Sequence, residues 1–472
     1  MAREIVQVRR LRDAAAFDAH LQDLGIELAR HPDPAAVLGR AVDVAGATLA
    51  NRWAVLPMEG WDGTADGRPT DLVRRRWRRF GESGAALVWG GEAVAVRSDG
   101  RANPRQLAIG PASPGDLATL REELVAGHAG ATGGGAPPVV GLQLTHSGRW
   151  SCPDGAPAPC VAFRHPLLDA RVGATDSDVV TDGWLDDLVG AYAAAAKVAS
   201  DAGFDFVDVK HCHGYLLHEL LAARDRPGRY GGDLPGRTRF LTETVGAIRR
   251  AAPGLGIGVR LSAFDVVPHV RGGDGRGVPE APGPYPYAFG GDGTGMGIDL
   301  GEVHELCEQL VALDVTLLCV TAGSPYWCPH VQRPAYFPPS DGYLPPRDPL
   351  LEVARLLDVT AAITRAHPRL TVVASGLSYL QEWMPGVAAA IVDRGAATLV
   401  GYGRGVLSYP ELPRDVLGRR DATRGRLCRT FSDCTTAPRN GLVSGCYPLD
   451  PFYKARPERL ELTAAKRAAG EG

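Results

Sequence analysis

The sequence predicts an α/β fold, and within that class a (β/α)8 TIM barrel. Three observations carry the prediction. Eight short apolar runs recur along the chain, most of them are unbroken rather than alternating, and helical patterns lie between them. An unbroken apolar run is what a parallel strand needs when both of its faces are covered. A helix between two such runs supplies the crossover that parallel strands require. A doubly wound sheet is the rival arrangement. It would place a glycine-rich dinucleotide fingerprint after the first strand, and none follows Arg52–Met58.

The elements follow in order. The first strand is expected at Arg52–Met58, then a helix at Thr70–Phe80 and a second strand at Ala85–Val94. The third strand, Pro138–His146, precedes a helix at Gly183–Ala202. The fourth, Phe204–His213, leads to the helix Arg237–Ala252, and the fifth, Gly256–Phe264, to Ile298–Leu313. The sixth, Val315–Ser324, is followed by Leu350–Ala366, the seventh, Leu370–Gly376, by Tyr379–Asp393, and the eighth is Ala396–Arg404. Residues 1–36 read as an added N-terminal helical arm, 37–418 as the barrel, and 419–472 as a C-terminal cysteine-bearing tail. Between Arg271 and Gly297 the chain carries ten glycines and four prolines. This stretch is either a flexible insertion or a lid at the carboxyl face, since long loops in compact domains are often functional.

Composition narrows the class of partner. A hydrophobic share of 45% and a charged share of 22% are ordinary for a soluble globular protein. The net charge of −3 argues against a generic nucleic-acid binder. No stretch approaches the ~18 apolar residues of a membrane helix. The charged start, MAREIVQVRR, lacks an apolar signal core, so no membrane partner and a cytoplasmic location are expected. Nine cysteines in a chain of 472 residues do not make a disulfide framework.

The most informative stretch runs from Lys210 to Tyr215. It places an ammonium, two imidazoles, a thiol and a phenol at the carboxyl end of the fourth strand, which in a parallel barrel is where chemistry sits. Such a cluster is expensive to bury and has little purpose in a scaffold. A zinc site from His211, Cys212 and His213 is disfavoured because neighbouring strand residues point to opposite faces. His211 and Cys212 are read as packing.

Several strand ends together resemble the Old Yellow Enzyme family of FMN-dependent oxidoreductases, over about residues 37–416. Asn51-Arg52 followed by Pro57-Met58 is similar to the family's first strand, and Gln143-Leu144-Thr145-His146-Ser147-Gly148-Arg149 to its third. His213-Gly214-Tyr215-Leu216 matches the fourth and Val259-Arg260-Leu261-Ser262 the fifth. Arg226, Tyr230-Gly231-Gly232 and Arg237 resemble the loop after the fourth strand, although Gly228 stands where the family has an acid. Gly376 and Gly403-Arg404 match the phosphate-binding ends of the seventh and eighth strands.

The resemblance implies a bound FMN held by Pro57, Met58, Glu59, Gln143, Arg260, Gly376, Gly403 and Arg404. The residue types suit it. A glutamine offers both a donor and an acceptor to a pyrimidine edge, though Gln143 could equally be a surface residue. Arg260 supplies a permanent charge near the ring, unless it is spent on a structural salt bridge. Glycines let backbone amides approach a phosphate, and Arg404 adds charge. The resemblance makes Lys210 and His213 the pair that binds the substrate's carbonyl oxygen, and Tyr215 the proton donor to the α-carbon. Lysine departs from the family's usual histidine and suggests an anionic substrate group. Otherwise it forms a buried pair with Asp208 or another carboxylate, and His213 and Tyr215 are core residues. Glu59, where the family often has Thr or Cys, is expected to be protonated or paired, acting as an acid or lowering the flavin potential, or else to point away.

Cys428, Cys434 and Cys446 resemble the iron–sulfur segment of the dienoyl-CoA reductase and amine dehydrogenase branch, which carries four cysteines. The intermediate position falls near Phe431, so the tail either holds a three-cysteine iron–sulfur cluster or is a degenerate form of that segment. The expected function is reduction of an activated C=C bond with electrons from NAD(P)H, through FMN. The alternatives are the same scaffold running oxidatively (desaturation or C–N oxidation) and a flavin-free barrel that binds a phosphorylated ligand. The partner is a small molecule with an activated alkene; the oligomeric state stays open, a homo-oligomer included.

Overall fold

The computed structural model describes residues 5–44 and 46–468. Eight parallel strands close a barrel: β1 (Trp53–Val55), β2 (Leu87–Val88), β3 (Val139–Thr145), β4 (Phe206–Val209), β5 (Gly256–Ser262), β6 (Leu317–Thr321), β7 (Thr371–Ala374) and β8 (Leu399–Tyr402). Each pairs in parallel with the next, and closure is made by Val400 of β8 against Trp53 of β1. The strands are buried along nearly their whole length, the reason their sequences read as unbroken apolar runs. Every expected strand is present but shorter than its apolar run. The second run is divided: β2 ends at Val88, and Ala93–Ala95 resumes as a separate strand beside β3.

Helices cover the barrel outside: α1 (Asp71–Gly81), α2 (Ser113–Thr132), α3 (Asp182–Asp201), α4 (Leu234–Ala251), α5 (Gly301–Ala312), α6 (Pro349–Ala366) and α7 (Met384–Asp393). Their starts are written in local chemistry. Thr181 caps α3 through Trp184 N, Asp233 caps α4 through Gly236 N at 2.9 Å, and Asp348 caps α6 through Leu350 N at 3.0 Å. Pro235 and Pro349 sit in the first turns of α4 and α6, where a missing N–H is harmless. Helix α2 was not expected from the sequence. Its buried residues Leu117, Leu120, Leu124 and His128 are sparse, and Gly115, Gly127 and Gly130 dilute the pattern. The expected helix Tyr379–Asp393 is a 3-10 segment, Leu377–Trp383, kinked at Gln381, and then α7.

Two peripheral segments pack on this frame. In the N-terminal segment, Ala14–Leu24 forms a helix whose Phe17 stacks on Trp383 at 4.7 Å. The C-terminal segment returns across the carboxyl face, and Asp450 pairs with Arg75 of α1 at 2.8 Å. The glycine-rich stretch after β5 forms a small hairpin, His269–Arg271 with Gly277–Pro279, followed by irregular chain.

Candidate active site

The carboxyl ends of the strands open into one cavity of about 1300 Å³, counting space continuous with solvent. All eleven residues expected to hold FMN or act on the substrate line it. Pro57, Met58 and Glu59 arrive beyond β1, Gln143 lies within β3, and Lys210, His213 and Tyr215 follow β4. Arg260 lies on β5, and Gly376, Gly403 and Arg404 follow β7 and β8. His211 and Cys212 are buried and do not line it.

The floor is organised by Asp208 on β4, whose role the sequence did not disclose. Its Oδ2 accepts from Gln143 Nε2 at 2.6 Å and Trp89 Nε1 at 2.8 Å, and its Oδ1 from the Arg260 backbone at 2.7 Å. Gln143 is therefore held as a donor downward, which leaves its amide oxygen for a ligand. Burial pushes the Asp208 carboxyl up to about 6, against the pull of these donors and of Arg260. Arg260 itself forms no salt bridge among the described residues. Its buried Nε has no hydrogen-bond partner and keeps donor capacity for whatever occupies the cavity, while its charge acts on Asp208.

Beside this floor sits a compact group around Glu59. Lys210 Nζ donates to Glu59 Oε1 at 2.8 Å and lies 3.9 Å from the centroid of the Tyr215 ring. Tyr215 Oη donates to Glu59 Oε2 at 3.2 Å, and Trp61 Nε1 donates to the same oxygen at 3.1 Å. The carboxylate beside Lys210 is thus Glu59 and not Asp208, and Glu59 is paired rather than turned away. Tyr326, from the loop after β6, places its hydroxyl 3.2 Å from that of Tyr215 and stacks on Trp150 at 4.2 Å. Burial, then the Glu59 charge, then Tyr326 raise the Tyr215 phenol well above 10.

Two successive left-handed residues turn the chain between Lys210 and Tyr215: His213 at φ 66° and Gly214 at φ 77°. A Cβ on Gly214 would meet the Trp327 ring at 2.2 Å, so the turn admits only glycine. Ser262 Oγ anchors His213 N at 3.1 Å, and Ser324 Oγ donates to His213 O at 2.9 Å. Burial, Arg260 and Lys210 hold the His213 imidazole well below 6.5, in its neutral form.

Glycines and an arginine shape the far end. Gly376 adopts φ 81° and precedes a 3-10 turn, and Gly403 precedes another that begins with Arg404. Arg404 Nη1 donates to Thr435 Oγ1 at 2.8 Å and contacts Cys434 Sγ at 3.5 Å, so the C-terminal segment forms part of the wall. Arg333, which the sequence reading did not single out, also lines the cavity. It lies nine residues beyond the expected end of the sixth strand, too far for a strand-end argument. Cys428 and Cys434 reach the cavity and Cys446 does not. Phe431 stacks on Phe337 at 5.6 Å, and burial raises the Cys428 and Cys446 thiols. No residue of the glycine-rich stretch between Arg271 and Gly297 lines this cavity; Trp61, Tyr326 and the C-terminal segment shape its mouth instead.

These features define a parallel (β/α)8 barrel whose carboxyl face holds a cavity lined by several cationic side chains. Residues 40–273 match the NADH:flavin oxidoreductase / NADH oxidase family. An NADPH dehydrogenase of Geobacillus sp. (strain WCH70) is 32% identical over 235 residues, covering 48% of this chain and 63% of that protein. One from Halalkalibacterium halodurans is 31% identical over 227 residues, 47% and 62% respectively. The chain therefore matches less than two thirds of these relatives' length. Among solved structures, a 2-naphthoyl-CoA reductase in complex with 2-naphthoyl-CoA superposes with TM-score 0.63 at 16% identity, over 91% of this chain and 58% of that one. Morphinone reductase in complex with tetrahydroNAD gives TM-score 0.55 at 19% identity, over 82% and 92%. At such identities these likenesses speak for the fold. Residues 40–273 thus carry the pattern of the NADH:flavin oxidoreductase / NADH oxidase family, in line with the Old Yellow Enzyme resemblance of the strand ends.

Proposed function

We propose that this protein is an FMN-dependent oxidoreductase that takes electrons from NAD(P)H and reduces an activated C=C bond. The observation that carries the reading is the unpaired, buried Arg260 beside an oriented Gln143, at the end of the cavity where Tyr215 stands. The residues present fit FMN. Gln143 and Arg260 would hold the pyrimidine side, and Pro57 and Met58 would border the ring. Gly376, Gly403 and Arg404 would hold the phosphate. When bound, FMN would supply hydride to the substrate carbon.

The chain's own residues do the rest. Lys210 has N–H groups beyond the one given to Glu59, and His213 as a neutral imidazole can donate one more. Together they would bind the carbonyl oxygen that conjugates with the alkene and stabilise charge growing there. Because Glu59 already balances Lys210, the site suits a neutral carbonyl better than the carboxylate or phenolate that an unpaired lysine would favour. Tyr215 would give its proton to the α-carbon, and Lys210 above the ring would steady the phenolate that remains. Trp61, Trp150 and Tyr326 would exclude water on the outer side.

The test is direct. Purified protein should be yellow, its flavin spectrum should bleach under NADPH or NADH without oxygen, and an α,β-unsaturated ketone should restore it. Colourless protein that cannot be reconstituted with FMN would end the redox reading.

A further inference from the structure

Five cationic side chains line the cavity, Lys210, Arg260, Arg333, Arg404 and Arg439, against one carboxylate, Glu59. Lys210 pairs with Glu59 at 2.8 Å and Arg439 with Asp341 at 2.5 Å. Among the described residues no carboxylate pairs with the other three. Arg260 lies on β5 near Gln143; Arg404 follows Gly403, and Arg333 meets the same C-terminal segment three residues away, at Ser432 against Thr435. Two neighbouring guanidiniums without a counter-charge repel each other, and burial deepens the penalty. The strain registers on Arg333, whose guanidinium falls to about 10, first through burial and then through Arg404.

Both are aimed by the C-terminal segment. Ser432 Oγ gives its proton to Phe337 O at 2.5 Å, which leaves a lone pair to accept from Arg333 Nη2 at 2.5 Å. Thr435 Oγ1 accepts from Arg404 Nη1 at 2.8 Å. Each arginine is thereby fixed through one nitrogen, and its remaining N–H groups stay available to a ligand.

We infer that Arg333 and Arg404 form one subsite for a phosphate monoester, in which Arg333 is a second ligand of the cofactor's terminal phosphate and Ser432 and Thr435 of the C-terminal segment are its positioning residues. This rests on the flavin reading above. A phosphate monoester carries close to two negative charges at neutral pH, and two planar guanidiniums match it in charge and in donor geometry. The segment would then bind cofactor whether or not its cysteines hold a metal.

The 2′-phosphate of NADPH offers the same chemistry, so the experiment separates the two sources. Flavin-free protein is titrated with FMN and with riboflavin, followed by quenching of flavin fluorescence. The reconstituted enzyme is compared with NADPH and NADH in the flavin-bleaching step. Arg333→Gln should weaken FMN binding about ten- to hundredfold, the range of one charge-assisted contact, and leave riboflavin binding unchanged. Arg333→Lys should recover part of the loss, and Ser432→Ala should give a smaller loss confined to FMN. The preference for NADPH over NADH should not move. Equal weakening of FMN and riboflavin would make Arg333 a scaffold residue and overturn the proposal. So would a collapse of the NADPH preference with FMN binding intact, or no change in any ligand. Wild-type protein that binds FMN no tighter than riboflavin would remove the phosphate subsite alone. Wild-type protein that binds neither would remove the flavin reading and this inference with it.

Discussion

At the scale of single residues, the hydroxyl of Tyr215 decides the proposed chemistry. It lies between Glu59 and Tyr326, with Lys210 over its ring. Burial and the Glu59 charge keep its proton in place, the state a donor must hold before transfer. Tyr215→Phe keeps the ring and removes the proton. Reduction of the flavin by NADPH should persist, while reoxidation by an unsaturated ketone should slow by about 10²–10⁴-fold in stopped-flow measurements. If neither half-reaction changes, Tyr215 is not the donor. Glu59→Gln tests the electrostatics with a definite sign. Glu59 raises the phenol's pKa, so its removal must lower it, and the proton-donating form is lost as pH rises through that pKa. The alkaline limb of the reoxidation rate should move to lower pH; a limb that stays or moves upward refutes the assignment. These partners also show where sequence reading ended. Lys210 and Glu59 are 151 positions apart, so the types of both residues could be read but their union could not.

At the scale of elements, the turn after β4 shows how far local sequence reaches. His213-Gly214-Tyr215 is legible because a strand's polar end, a glycine and a phenol stand together. The strands are legible for a similar reason, since burial on both faces needs no partner to be named. Helix α2 is not legible, because it packs through a few leucines and many small residues. The cavity's rim is also hidden. Tyr326 and Arg333 come from the loop after β6 and Thr435 from the C-terminal segment, and only the closed barrel unites them. The turn makes a prediction of its own. Gly214→Ala forces a methyl group into φ 77° and against Trp327 and Ser324 Oγ. The left-handed backbone costs about 1–2 kcal/mol and the overpacking about 1–3 kcal/mol. The variant should unfold at lower denaturant than wild type and bind FMN more weakly, because the shift displaces the start of the Tyr215 segment. A midpoint within error of wild type would mean that Trp327 yields freely.

At the scale of the molecule, the carboxyl-face loops are tied to one another by a buried acid that the chemistry does not use. Asp265 follows β5, and its Oδ1 accepts from Val266 N at 2.8 Å, Trp327 Nε1 at 3.1 Å and Cys328 Sγ at 3.2 Å. It thus joins the loop after β5 to the loop after β6 that carries Tyr326. Burial raises its pKa from 3.8 to about 7, the donors only partly offsetting the loss of water. A carboxyl whose folded pKa is raised contributes stability that is complete below about pH 4, and that contribution declines as pH rises through 7. Above that pH the folded protein must hold a charge in a dry place, at an expense of up to about 4 kcal/mol. Asp265→Asn removes the titration and keeps an oxygen for all three donors. The variant's unfolding midpoint should therefore gain on wild type between pH 4 and 7 and hold a constant advantage at higher pH. Denaturant titrations at pH 5 and pH 8 decide it: the gap between the two proteins should be wider at pH 8, and parallel shifts at both values would show that Asp265 is ionised throughout.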